Sequence, residues 1–289
     1  MRSSWNASAA RAELSAVRGA AAYAIILGSG LAGLADRIGT RVRIPYASVP
    51  GLGATSVEGH PGFITLGRIA DEPALVFAGR FHRYEGSEAN DPSSIVSLAA
   101  DAGCVRIIVT QAAGSLTRRL RAGTWMLATD ALSLPARFAI EPGGVSRRED
   151  VRPGARRNRE DFSRETRRGG TALVSARLSA EIREAARAAH VPLAEGVLCW
   201  TSGPAYETAA EARFAVSLGA DAVTMSSLPE LIAARRLGLE AASLGWITNH
   251  TANISRRRTE HAHVVGMGEA GVRALETILT ALFRARRTA

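Results

Sequence analysis

Lysine is absent from this 289-residue chain: all 36 basic residues are arginine, set against 27 acidic ones, and the formal charge is +9. The pI near 10.9 is correspondingly extreme. Cysteine is almost absent as well. Cys104 and Cys199 lie far apart in apolar surroundings, without metal-ligand spacing or a nearby histidine in sequence. That excludes a disulfide scaffold and a cysteine metal centre, and reads as two buried thiols in a reducing compartment. Aromatic residues make up only 5%. No run approaches the roughly 18 to 20 apolar residues needed to span a bilayer. The longest candidate, Gly19 to Gly28, follows Arg18 as a signal-peptide core would. It contains Tyr23, however, and ends in the turn Gly28-Ser29-Gly30 rather than a cleavage site, so a cytoplasmic protein without a membrane association is expected.

What is present is a globular composition, 46% hydrophobic and 22% charged, long enough for one large α/β domain. A strongly basic balance invites a nucleic-acid reading, and the distribution of charge decides against it. Nine arginines fall between Arg147 and Arg168, interleaved with Glu149, Asp150, Glu160, Asp161 and Glu165. This Gly/Pro-rich stretch reads as a solvated loop excursion at about 141–170. It lacks the aromatic interleaving of a single-strand binder and the period of a recognition helix.

Strand-length apolar runs alternate with amphipathic segments. Tyr23–Leu27, Phe63–Leu66, Leu75–Ala78, Val105–Thr110, Trp125–Thr129, Leu193–Trp200, Ala222–Met225 and Ala241–Thr248 read as strands, several buried on both faces. Pro92–Ala102, Arg177–His190, Thr208–Leu218, Leu228–Leu237 and His261–Phe283 carry helical spacing. The order predicts an α/β fold: a single domain over 20–289 with a mixed, largely parallel sheet surrounded by helices, preceded by a helical extension over 1–19.

Chemistry in such sheets gathers where strands run into loops. Gly28-Ser29-Gly30 with Gly33 could cradle an anion with backbone amides and the Ser29 hydroxyl, although the acidic partner of a dinucleotide fingerprint is lacking. His60 stands in the turn Gly59-His60-Pro61-Gly62, where a lone histidine is most often simply solvated. Arg80, His82 and Tyr84 alternate after a strand and would share one side if the chain stays extended, offering a fork for anion oxygens, a donor and a rigid wall. Thr110-Gln111-Ala112-Ala113-Gly114-Ser115 reads equally as a close approach to a ligand or as an ordinary tight loop. Tyr206 and Glu207 sit at a helix start, where a carboxylate can also be a helix-end stabiliser. Met225-Ser226-Ser227 and Thr248-Asn249 end two further strands in polar groups.

These motifs, in this order, resemble the trimeric purine nucleoside phosphorylases over about residues 20 to 285. The resemblance rests on Gly28-Ser29-Gly30-Leu31, Gly59-His60-Pro61-Gly62, Gly79-Arg80-Phe81-His82-Arg83-Tyr84-Glu85-Gly86, Ala112-Ala113-Gly114, Gly203-Pro204-Ala205-Tyr206-Glu207-Thr208, Met225-Ser226-Ser227-Leu228-Pro229-Glu230 and Ile247-Thr248-Asn249. It implies a homotrimer that cleaves purine ribosides with inorganic phosphate as co-substrate and no metal or organic cofactor. It implies a phosphate site of Ser29, Arg80, His82, Ser226 and the backbone at Ala113. Tyr84 and Met225 would pack on the ribose, His261 near its 5′-oxygen, and His60 close to the entrance. Tyr206 would face the base, while Glu207 accepts from N1–H and Asn249 bonds around N7 and O6, a set that suits 6-oxopurines. His82, Asn249 and Glu207 would carry the catalysis.

The chain departs from the family pattern at Gln111 and Ser115, where Asn and Gly are expected, and at Leu198, where Tyr is usual. Pro135 to Thr171 shows none of the family's usual elements. Three other readings follow: a specialised phosphorylase for a modified or 5′-substituted nucleoside, an adenine-directed enzyme similar to methylthioadenosine phosphorylase, and a non-catalytic relative whose arginine loop recruits a polyanion. The adenine-directed enzymes look to carry Asp where this chain has Asn249. A pure scaffold has no use for the Ser29, Arg80 and His82 set.

Overall fold

The run Tyr23–Leu27 is the central strand β1 of the computed structural model, which describes residues 13–14, 21–86, 91–134, 172–255 and 260–287. All five of its residues are buried, because the two faces feed two different cores. Ala24 and Ile26 join one apolar cluster with Leu75, Phe77, Ile95 and Val109. Tyr23, Ile25 and Leu27 join another with Val76, Ile108, Leu178, Leu279 and Phe283. A strand with period-two alternation between two apolar cores reads as a continuous hydrophobic run, which is why it was visible in sequence.

The remaining strands are β2 (Gly39–Pro45), β3 (Phe63–Ile69), β4 (Glu72–Ala78), β5 (Arg106–Ser115), β6 (Trp125–Ser133), β7 (Leu193–Trp200), β8 (Ala222–Thr224) and β9 (Glu240–His250). The helices are α1 (Leu34–Arg37), α2 (Pro92–Asp101), α3 (Ala176–Ala188), α4 (Ala209–Ser217), α5 (Leu228–Arg236), α6 (His261–Gly266) and α7 (Gly268–Arg287). The sheet order is β2-β3-β4-β1-β5-β8-β7-β6-β9, and β9 also pairs with β5. Strands β5, β8, β7, β6 and β9 therefore close into a ring, with β1 to β4 as an open wing. Five of the nine pairings are parallel and four antiparallel, so the sheet is mixed as expected.

Three local readings are corrected. Strand β2 was not predicted: its sequence, GTRVRIP, interrupts the apolar residues with two arginines, and it lies at the sheet edge, where polar residues are tolerated. The stretch Thr110 to Ser115 is no loop but the end of β5, paired with β9 up to Ser115↔His250. The long C-terminal helix predicted over His261–Phe283 is two helices, α6 and α7, meeting at Met267. The expected N-terminal extension over 1–19, Glu13 and Leu14 aside, and the Arg-rich excursion at 141–170 lie outside the described residues. Both cysteines are buried and free, and burial pushes each thiol up to about 12.

Candidate active site

The parallel strands deliver their polar residues to one end of the sheet. Ser29 follows β1, Arg80 and His82 follow β4, Ala112 to Gly114 end β5, and Thr201 follows β7. Met225 and Ser226 follow β8, and Thr248 with Asn249 end β9. One pocket is lined by these residues together with Tyr84, Tyr206, Glu207, His261 and Val264. Every site residue expected from sequence lines it except His60, which stands just behind: its Nε2 lies 3.1 Å from Ser29 Oγ and its ring 5.2 Å from that of His82.

The Arg80, His82 and Tyr84 side chains reach the pocket by a route different from the extended one predicted. Strand β4 stops at Ala78, Gly79 takes a left-handed φ of 111°, and Arg83–Glu85 form a 3₁₀ turn. A Cβ on Gly79 would stand 2.9 Å from His60 Cβ, so this turn needs glycine both for its conformation and for the close approach of the His60 loop. The 3₁₀ turn stacks Tyr84 on His82, with ring centroids 4.9 Å apart and planes at 15°. Glu85 closes the turn, accepting from the His82 backbone N–H at 2.7 Å and facing its Nδ1 at 3.3 Å. With Nδ1 against a carboxylate, Nε2 is the nitrogen left for a ligand. Partial burial alone would raise the Glu85 carboxyl. Hydrogen bonds from His82 and Ser56 outweigh it and hold that carboxyl down to about 2.

Arg80 is fully enclosed, and its guanidinium is ion-paired with Glu230 at 3.0 Å. Burial lowers the basicity of Arg80, and Glu230 and Tyr46 oppose that shift. The His60 imidazole is held neutral well below the usual histidine range, first by burial and then by the neighbouring His82 and Arg80. A neutral His60 that gives its Nε2–H to Ser29 leaves the Ser29 hydroxyl hydrogen for an anion. Nδ1, which has no partner, is then a bare acceptor rather than a stranded donor.

At the opposite end, Tyr206 and Glu207 come from the loop between β7 and α4. Gly203 in that loop has φ 66°, and a Cβ there would meet Tyr84 Cδ1 at 2.7 Å and Met225 Sδ at 2.8 Å. Loop backbone thus lies directly on the Tyr84 and Met225 wall. The cap hydrogen bonds of α4 are made by Thr208 and Glu211, in a capping box to which Glu207 does not contribute. Burial pushes the Glu207 carboxyl up, and Glu211 adds to the shift. Burial likewise raises the Tyr84 hydroxyl to about 12. Asn249 is oriented by its neighbours: Thr248 Oγ1 donates to its Oδ1 at 2.9 Å, and its Nδ2 donates to the His250 carbonyl at 3.2 Å. Both ends of the amide are thus held by neighbouring groups, which fixes its plane at the pocket wall. His261 sits on the rim, its Nε2 2.9 Å from the Glu58 carbonyl.

Of the departures from the family pattern, Gln111, Ser115 and Leu198 fall outside the pocket lining, and Pro135 to Thr171 lies outside the described residues. Gln111 is buried behind the pocket against Ser227 and Ser243, Ser115 Oγ donates to the Thr117 carbonyl, and Leu198 packs with Ala113, Met126 and Ile247. Sequence reasoning gave no role to Glu85, Thr248 or Glu230. The first two stand three residues and one residue from a named site residue, a spacing at which side chains in a turn or at a strand end can meet.

The pattern of the Phosphorylase superfamily matches residues 22–284. This chain belongs to the phosphorylase superfamily. It is 32% identical over 245 residues to purine nucleoside phosphorylase 1 of Bacillus subtilis, covering 85% of each chain. It is 34% identical to the purine nucleoside phosphorylase of Cellulomonas sp over 262 residues, 89% of this chain and 84% of that one. Among solved structures, it superposes on the Schistosoma mansoni purine nucleoside phosphorylase in complex with inosine with a TM-score of 0.74 at 26% identity, covering 95% of this chain and 94% of that one. A schistosoma enzyme in complex with hypoxanthine gives 0.75 at 25% identity, over 96% of this chain and 94% of that one. Among the described residues no helix is long and apolar enough to cross a membrane, and no group of three or more metal-ligating side chains is found.

Proposed function

We propose that the chain catalyses phosphorolysis of purine nucleosides, with 6-oxopurine ribosides such as inosine and guanosine as substrates and inorganic phosphate as co-substrate. The observation that carries this reading is the polarity of one pocket: enclosed cationic and hydroxyl groups at one end, a carboxylate and an amide at the other, and Tyr84 with Met225 between them. A phosphate dianion needs several donors and a fixed positive charge, which Ser29, Arg80, His82, Ser226 and the Ala113 backbone would supply. Glu207 would accept from N1–H of hypoxanthine or guanine, whereas adenine has a bare acceptor there. Tyr206 would cover the base and His261 approach the 5′-oxygen.

In the reaction the C1′–N9 bond breaks through an oxocarbenium-like ribosyl state. Its electron pair leaves with the purine, and the Asn249 amide stabilises the negative charge or the arriving proton at N7. A phosphate oxygen on the opposite face forms the new bond to C1′, giving free base and ribose 1-phosphate. The scheme calls for no metal or organic cofactor. A cytoplasmic homotrimer is the matching assembly, checked by light scattering on the purified chain.

Incubating the protein with inosine, guanosine and adenosine, each with and without phosphate, and measuring free base and ribose 1-phosphate tests the reading. Phosphate-dependent release of hypoxanthine or guanine is expected. Comparable turnover of adenosine and inosine would overturn the base assignment, because a misfit should leave Glu207 and Asn249 incompletely paired.

A further inference from the structure

Arg80 forms part of the pocket wall, yet most of its hydrogen-bonding capacity is spent behind it. One terminal nitrogen donates to Glu230 Oε1 at 3.0 Å and to Ser227 Oγ at 3.1 Å, and the other donates to the Thr110 carbonyl. Of its nitrogens, Nε alone has no partner, and it is buried. Arg80 and Glu230 expose 0% and 1% of their side chains, so water does not share this ion pair. A guanidinium only donates, which forces Ser227 to accept from Arg80 and to pass its own hydrogen on to Gln111 Oε1 at 2.6 Å. Gln111 Nε2 then donates to Ser243 Oγ at 3.0 Å. The chain of bonds gives the guanidinium one position, and Ser227, at a left-handed φ of 77°, sits next to the pocket residue Ser226.

We propose that Glu230 is the internal counterion of Arg80 and sets how tightly the pocket holds inorganic phosphate, an inference that rests on the phosphorolysis reading. Its carboxylate does two opposed things. It fixes the fork, and it cancels the charge that phosphate would otherwise meet. A carboxylate also stands behind His82, with Glu85 against its Nδ1 at 3.3 Å, so Arg80 and His82 are each backed by a carboxylate. The phosphate end therefore meets an anion with groups held in place and with the Arg80 charge offset by Glu230. For turnover this is the useful balance. Holding phosphate and its ester product too tightly in the ground state would add nothing to the rate and would slow product departure.

Glu230→Gln keeps an oxygen for Arg80 and removes the charge. Calorimetric titration with inorganic phosphate is expected to show a dissociation constant lower by roughly tenfold, the size of a lost like-charge repulsion at partly screened separation. The phosphate KM should fall in parallel, the inosine KM should change by less than about twofold, and the phosphate-free melting temperature should fall. A purely structural Glu230 would lower the melting temperature and leave both KM values alone, and that result, or weaker phosphate binding, would overturn the proposal. If Glu230→Gln does not fold, Glu230→Asp, which draws the charge back by one methylene, should tighten phosphate by about twofold to threefold. Unchanged or weakened binding there would count equally against the counterion role. A wild-type protein that neither binds phosphate nor releases base overturns the functional reading and this inference together. Wild-type activity with no tightening in the variants overturns this inference alone.

Discussion

At one end of the pocket Arg80 and His82 are 0% and 6% exposed, each with a carboxylate against it; at the other, Tyr206 is 42% exposed on a loop that follows β7. The enclosed end is made from strand ends and a 3₁₀ turn pinned by Gly79 and Glu85, so its donors are held in place before any anion arrives. The open end is made from a connection whose backbone lies on Tyr84 and Met225, with Glu207 and Asn249 positioned by burial and by Thr248. The difference teaches where each kind of error should hurt. Changes at the enclosed end strike folding and chemistry together, and changes at the open end strike selectivity first.

The largest expected effect breaks the enclosed end. Arg80→Ala should cut kcat/KM for phosphate by roughly a thousandfold or more and destabilise the fold by about 3 to 5 kcal/mol, because Glu230 is left buried without its partner. Steady-state kinetics together with denaturant melts check both parts, and wild-type stability in the variant would contradict the buried pairing. Next comes Glu207→Gln, expected to lower inosine turnover by roughly a hundredfold while changing the melting temperature little, since α4 is capped by Thr208 and Glu211 rather than by Glu207. Asn249→Asp should weaken inosine cleavage and relax selection against adenosine. An unchanged inosine-to-adenosine ratio would count against the base-reading assignment.

The smallest effect is one of pH. The Glu85 carboxyl is held near 2 in the folded chain against an ordinary 4.5, so its stabilising contribution is complete above 4.5 and is lost as pH falls from there toward 2. Glu85→Gln keeps an acceptor oxygen, but its amide does not titrate. The fall in melting temperature on acidification below about pH 5 should therefore be shallower in the variant than in wild type. Identical slopes would show that Glu85 is not the group responsible. His60 acts on the same side: its folded basicity is depressed, so acidification through the ordinary histidine range also disfavours the folded chain.

Legibility in the sequence followed burial. Strands β1, β5, β7 and β9 were visible because both of their faces feed apolar cores, and β2 escaped because an edge strand can alternate arginine with apolar residues. The polar residues at strand ends were legible as site candidates for the same reason, since a core has no use for Arg80, Glu207 or Asn249. Their manner of convergence was not. Arg80, His82 and Tyr84 line one pocket through a left-handed glycine and a 3₁₀ turn, a change of conformation that no two-residue period encodes.

The sequence by itself determined the fold class, the buried strands and the set of chemical groups, because hydrophobic periodicity and residue type are local properties of the chain. Only the tertiary structure decided which groups are already paired. Glu230 is 150 residues from Arg80, and Ser243 is 132 from Gln111. Contacts over such separations arise from the parallel pairing of β5 with β9 and the packing of α5 against the sheet. They set the charge and hydrogen-bonding state in which the pocket meets a ligand.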